Sequence, residues 1–152
     1  MEINESKLIE KEVTLRLLRL TKETLETRRS IIRWLALSLG IINPGESRLS
    51  GLAVLDGLLY FQISQKKDPT VLELSEYINK TWDSINEKTL RYHLLQLKKM
   101  DIIKNSKSKY FLINNNTIDK NDETVWIDDY FNLIVEPIKN NLKRMIKELK
   151  NR

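Results

Sequence analysis

Hydrophobic positions recur along this chain mostly at helical spacing. Leu8, Ile9, Val13, Leu17 and Leu20 form an amphipathic first stretch. Ile31, Ile32, Trp34, Leu35, Ala36, Leu37 and Leu39 follow as a run that is apolar on nearly every side. The pattern predicts helix over residues 6–39, either unbroken or restarted at Thr21 or Thr24, with the second part buried on several sides. Gly40 is the expected stop, and Asn43-Pro44-Gly45 is a turn. Ser50 is positioned to cap a helix over 51–64 carrying Leu52, Val54, Leu55, Leu58, Leu59 and Phe61. After the polar connection Gln65–Pro69, Thr70 caps a short helix over about 71–79, with Leu72, Leu74 and Ile78 pointing inward. Lys80-Thr81-Trp82-Asp83 is a turn, with Trp82 filling the space between two helices.

The next helix is the most informative. Ser84 and Glu87 have the S-x-x-E spacing of a capping box, and the helix runs from about 84 to 100. Leu90, Leu94 and Leu97 fall on one stripe, at spacings of four and three. Lys88, Thr89, Arg91, Tyr92 and Gln96 lie away from it. His93 is read as a packing residue beside the leucines. Ile102-Ile103 and Tyr110-Phe111-Leu112-Ile113 are strand candidates, with Asn105–Ser108 as a polar tip whose turn type is open. Residues 114–123 are a polar linker. Residues 124–150 form a last helix lined by Trp126, Tyr130, Phe131, Ile134, Val135, Ile138, Leu142, Met145, Ile146 and Leu149, kinked or interrupted at Pro137.

Composition narrows the chemistry. The 152 residues suffice for one domain with a real core, or a small domain plus flanking helices. There is no cysteine and His93 is the only histidine, which excludes disulfides, thiolate zinc sites and a histidine metal cluster. No metal or other cofactor is expected. The longest apolar run is broken by Arg33 and Gly40, so no membrane span is expected. Glu2, Glu5, Glu10 and Glu12 do not suit a secretion signal, and the expected location is cytoplasmic. Asp119, Asp122, Glu123, Asp128 and Asp129 cluster before or within the first turns of the last helix, where acidic groups complement the helix dipole. No phosphate-binding loop, nucleophile elbow or dinucleotide fingerprint occurs, so the chain reads as a non-enzyme.

The net charge of +5 is unevenly spread. Over residues 88–109, Lys88, Arg91, Lys98, Lys99, Lys104, Lys107 and Lys109 are opposed by Asp101 alone. Such a concentration attracts polyanions through counterion release. Cations and hydrogen-bond donors on the free face of an anchored helix suit the DNA major groove.

The order of elements over 51–113 resembles a winged helix-turn-helix domain. Val71–Ile78 looks like that family's support helix, and Thr89–Ile103 looks like its recognition helix running into the wing. The stretch is similar to bacterial and archaeal regulators of the ArsR and MarR type. It departs from them in having Lys80-Thr81-Trp82 where a glycine often sits, and in lacking metal-sensing cysteines. The resemblance implies a mainly α fold with a small β-hairpin wing at about 104–110, and a sequence-specific transcription regulator of double-stranded DNA. Asn86, Lys88, Thr89, Arg91, Tyr92 and Gln96 would face base edges and nearby phosphates. Arg91 is the best candidate for bidentate readout of guanine. Lys104, Lys107 and Lys109 would meet the backbone or minor groove. The apolar helices within residues 1–50 and 124–152 are surplus to the domain and would build a homodimer. The competing reading is a winged-helix protein-interaction module within a larger assembly.

Overall fold

The computed structural model describes residues 4–113 and 122–152; most of the linker read at 114–123, including Asp119, lies outside them. The fold is mainly helical, with one two-stranded antiparallel sheet among the described residues. The chain divides into two units, Met1–Ser47 and Arg48–Arg152.

In the first unit the main element is helix α1, Arg28–Ser38, capped by Thr27, whose hydroxyl accepts the Ser30 N–H at 3.0 Å. It ends where expected. Gly40 adopts φ +73°, its N–H donates to Leu37 O, and the Ile41 N–H reaches back to Ala36 O, so the last carbonyls are satisfied. The helix expected over the preceding residues does not form. Residues 9–21 run as a non-helical strap between single 3₁₀ turns at Glu5–Leu8 and Glu23–Leu25. The strap's polar groups are used by α1 instead of by a helix of its own. The Arg16 N–H donates to Ser38 O, and Ser38 Oγ donates to Arg16 O. The Arg16 guanidinium donates to Leu37 O, Ile42 O and Asn43 Oδ1, and Trp34 Nε1 donates to Arg19 O. Gly40 permits the closest approach: a Cβ there would lie 2.4 Å from Thr14 O. Nor is α1 buried all round. Ile32 and Ala36 are buried, Ile31 is exposed, and the rest of the run to Leu37 is half-buried.

In the second unit, helix α2 (Ser50–Leu59) is the centre, with every residue from Gly51 to Leu59 buried. Ser50 is inside this helix and Leu49 is its N-cap, without a side-chain cap bond. The Ser50 hydroxyl instead pairs with His93 Nε2 at 2.9 Å, which explains the position of His93 beside the leucine face. Beyond Leu59 the chain widens into a π-helical turn, Tyr60–Ser64. Gln62 in that turn is buried. Its Nε2 donates to Lys67 O and Asp68 Oδ1, and its Oε1 accepts the Leu112 N–H at 2.8 Å.

Helix α3 spans Val71–Thr81 and opens with a full capping box of Thr70 and Glu73. Hydrogen bonding from Lys67 holds the Glu73 carboxyl below its ordinary pKa. Leu74 and Ile78 are buried as expected, but Leu72 is 67% exposed; it falls off the stripe that faces α2. At Gly57 a Cβ would lie 3.2 Å from Leu74 Cδ2, so the lack of a side chain lets α3 approach α2. Deep in α2, the Asp56 carboxylate accepts from Tyr77 Oη at 2.9 Å and from Trp82 Nε1 at 2.8 Å. Trp82 thus ends α3 by reaching into the core.

Helix α4 spans Glu87–Lys99. Its cap is Asn86, not the Ser84–Glu87 box: Asn86 Oδ1 accepts the Thr89 N–H at 2.8 Å. Asp101 takes φ +60°, and the Ile102 N–H donates to Leu97 O, turning the chain into strand β1 (Ile103–Ser106). Strand β2 (Lys109–Leu112) returns with Ile103 opposite Leu112 and Ser106 opposite Lys109. The Tyr110 N–H donates to Pro69 O, tying the hairpin to the entry of α3.

Helix α5, Val125–Lys150, runs through Pro137 without interruption. Leu133, whose carbonyl Pro137 cannot serve, is itself exposed. Only Tyr130 and Ile134 of α5 are buried, and burial pushes the Tyr130 hydroxyl pKa up. No helix of the described residues is long and apolar enough to cross a membrane.

Trp82→Phe removes one donor from a buried carboxylate while nearly preserving shape. Urea unfolding should show a loss of about 1–3 kcal/mol. An unchanged midpoint would show that the Trp82–Asp56 bond contributes nothing.

Candidate nucleic-acid interface

The leucines of α4 set its orientation. Leu90, Leu94 and Leu97 are 0%, 1% and 2% exposed, so the opposite side of the helix faces solvent. That side carries Lys88, Arg91, Tyr92, Leu95, Lys98 and Lys99, all exposed, while Thr89 and Gln96 lie half-buried at its flank. Asn86 stands at the N-terminus, with its side-chain oxygen occupied by the cap. Tyr92 meets His93 edge to face with ring centroids 5.3 Å apart.

Arg91 is not idle. Its Nη2 and Nε donate to Glu87 Oε1 at 3.0 and 3.2 Å, an i,i+4 pair with both side chains more than half exposed. Such a pair holds the guanidinium along the helix and is worth only a few tenths of a kcal/mol, about 0.3–0.5, so a stronger anion displaces it readily. The sequence marks Glu87 as a cap partner, and its i,i+4 spacing from Arg91 also predicts this pair. Leu95, Lys98 and Lys99 also join this face, beyond the residues that the winged-helix resemblance points to.

The hairpin supplies the remaining cations. Lys104 and Lys109 lie on the strands and Lys107 at the tip, all exposed. The tip is the two-residue turn Lys107-Ser108, with φ +51° and +66°. Both central residues are left-handed, which is the type I′ geometry that matches strand twist. It is narrower than the Asn105–Ser108 tip read from the sequence, because Asn105 and Ser106 pair with Tyr110 and Lys109. Lysine and serine both pay a steric cost in this conformation.

No cluster of histidine, cysteine, aspartate or glutamate suited to a metal occurs among the described residues. Near the start of α5, Asp122 Oδ1 accepts the N–H and hydroxyl of Thr124, and these bonds hold its carboxyl below the usual pKa.

Ser108→Gly should relieve the strained turn and raise stability by about 0.5–1 kcal/mol in thermal or urea unfolding. A decrease would place the tip in another turn geometry. No protein-family model matches the chain, and no curated protein or solved structure matches it.

Proposed function

We propose that this chain is a sequence-specific, double-stranded-DNA-binding transcription regulator of the winged helix-turn-helix kind, acting as a homodimer. The observation that carries this reading is the two-sided character of α4, leucines buried on one side and cations exposed on the other, continued by a lysine-bearing hairpin. The bond from Tyr110 to Pro69 adds support, since it joins the hairpin to the segment before α3 as a wing joins its domain. In this reading α4 enters the major groove, with Lys88, Arg91 and Tyr92 nearest the bases and the helix start against phosphate. Lys104, Lys107 and Lys109 lie along the backbone.

The homodimer rests on α5. Phe131, Val135, Ile138, Leu142, Met145 and Leu149 follow one another at spacings of four and three, the seam of a coiled coil. Of these, Ile138, Leu142, Met145 and Leu149 are 44–70% exposed. Paired with the same stripe of a second copy, they would be covered by a two-fold contact. The exposed Leu17 and Leu20 of the strap offer a further apolar surface to the assembly.

Duplex binding measured across a salt series tests the first part. Several phosphate contacts should cost about a hundred- to thousand-fold in affinity between roughly 50 and 200 mM salt. Arg91→Ala should cost about 1–3 kcal/mol and relax preference at one base pair, whereas Lys107→Ala should weaken all duplexes alike. Undetectable or salt-independent binding would favour the protein-interaction module instead. Sedimentation tests the dimer: the mass should be twice 18.0 kDa, and Leu142→Asp should return it to the single-chain value. A wild-type monomer at tens of micromolar would remove the dimer.

A further inference from the structure

We infer that Leu95 reads the 5-methyl group of a thymine in the major groove. This rests on the DNA-binding role proposed above and names a base class for it. Successive residues of a helix are separated by roughly 100° around its axis. Leu95 therefore lies between Arg91 and Lys88 in angle, opposite the buried Leu90, Leu94 and Leu97. It occupies the centre of the cationic face, one turn beyond Arg91 and two beyond Lys88. It is 47% exposed, and the neighbouring Tyr92 is 57% exposed.

Single exposed leucines are common on protein surfaces, and Leu95 is set apart by its place among four cations of one helix face, Lys88, Arg91, Lys98 and Lys99. A protein-binding face would need far more apolar area. Tyr92 and Leu95 are two side chains, each about half exposed, against the roughly 20–30 residues a side of a stable protein contact. An island of this size is ample to cover a single methyl group. In the major groove only thymine presents one, beside its O4 acceptor, while the other bases present donors and acceptors alone. Burying that methyl against Leu95 contributes favourably, and a cytosine at the same place would put its amino group against a hydrocarbon.

The helix also fixes where the thymine lies. Arg91 and Leu95 are separated by a rise of about 6 Å along α4. Base pairs are stacked about 3.4 Å apart. The thymine is therefore one or two steps from the base pair that Arg91 contacts.

The test uses the full chain and duplexes enriched by it from a random-sequence pool at low salt. Each thymine of an enriched duplex is replaced in turn by deoxyuridine, which removes the methyl and nothing else. One position per half-site should weaken binding about three- to ten-fold, within two base pairs of the position whose preference Arg91→Ala relaxes. Leu95→Ala should lose a similar factor on the unmodified duplex and become indifferent to deoxyuridine there. Lys98→Ala should weaken binding while keeping the deoxyuridine effect. Circular dichroism of Leu95→Ala should match wild type, since the side chain is on the surface; if it does not, Leu95→Gln should give the same indifference to deoxyuridine with the fold retained. Unchanged wild-type affinity after every replacement overturns the inference and leaves the DNA-binding role standing. Retention of the deoxyuridine effect in both Leu95 variants overturns it equally. Failure to enrich any duplex overturns the DNA-binding role, and the thymine readout with it.

Discussion

A carboxylate sits where a leucine would ordinarily be. Asp56 lies in the middle of a helix whose neighbours are all buried, and it is itself 3% exposed. Its Oδ2 takes hydrogen bonds from Tyr77, inside α3, and from Trp82, the residue that terminates α3. Both bonds have the same acceptor, so they fix the rotation of α3 about its axis and the place where the chain leaves it. The bare backbone at Gly57 then brings α3 in against α2, with Leu74 and Tyr77 as its nearest contacts. With that exit point fixed, the segment Asp83–Asn86 has little freedom in delivering α4. The Ile85 N–H is taken by Asn79 Oδ1, and Asn86 starts the next helix. The leucine face of α4 completes the core, and Ser50 holds His93 at its edge. A buried polar group unmatched by donors would cost far more than it returns, so the carboxylate selects one arrangement of these helices over near alternatives.

The opposite end of α2 does the same for the hairpin. The π-helical turn rotates Gln62 into the interior, where its amide meets Lys67, Asp68 and the Leu112 N–H at once. A regular α-turn would shift that side chain around the helix by the residue that the wider turn absorbs. The hairpin is therefore held at its base by Gln62, by the Tyr110–Pro69 bond and by the buried Ile103 and Leu112, while its tip stays in solvent. Cations on the free side of α4 and at the tip are thus carried by elements fixed to one core. The local electrostatics are softer than the charge count suggests, because Glu87 pairs with Arg91.

Periodicity located the elements of residues 51–113, because there the apolar spacing coincides with what the core buries. Leu74, Ile78, Leu90, Leu94 and Leu97 were legible for that reason. Leu72 was not, since its apolar character has no partner on the outer side of α3. The caps were harder. Ser84 and Asn86 are both admissible N-caps two residues apart; Asn79 takes the Ile85 N–H, and Asn86 is the one that accepts an N–H of the helix, from Thr89. The leucines of the strap over 9–21 fit a helical spacing, yet the strap is not helical. What overrides that spacing lies far along the sequence, in the carbonyls of Leu37 and Ile42 that Arg16 reaches and in the gap that Gly40 leaves for Thr14. Of the interface, the side chains and their charge could be read from the sequence. The Glu87–Arg91 pair is also implied by its i,i+4 spacing, whereas the exposure of Leu95 and the left-handed turn at Lys107-Ser108 depend on packing and backbone geometry that spacing does not encode.

The apolar surface left on α5 is patterned, and the pattern is what distinguishes it from scattered exposed leucines. Tyr130 and Ile134 anchor the first half of the helix, and from Ile138 onward its apolar residues are all exposed. Alternating steps of four and three give a mean repeat of 3.5, slightly short of the helix's own 3.6. A stripe with that repeat stays in register with another helix only if the two wind around each other, so its natural cover is a helix bearing the same repeat. Lys139, Lys143, Lys147 and Lys150 lie outside the stripe, where they keep the flank solvated and leave the seam apolar. A second copy supplies that matching repeat without any further gene product, and a two-fold contact there would carry a pair of α4 faces as one unit. In the DNA-binding reading proposed above, two such faces on successive turns of a duplex would share the cost of association, because the second engages at the effective concentration set by the first.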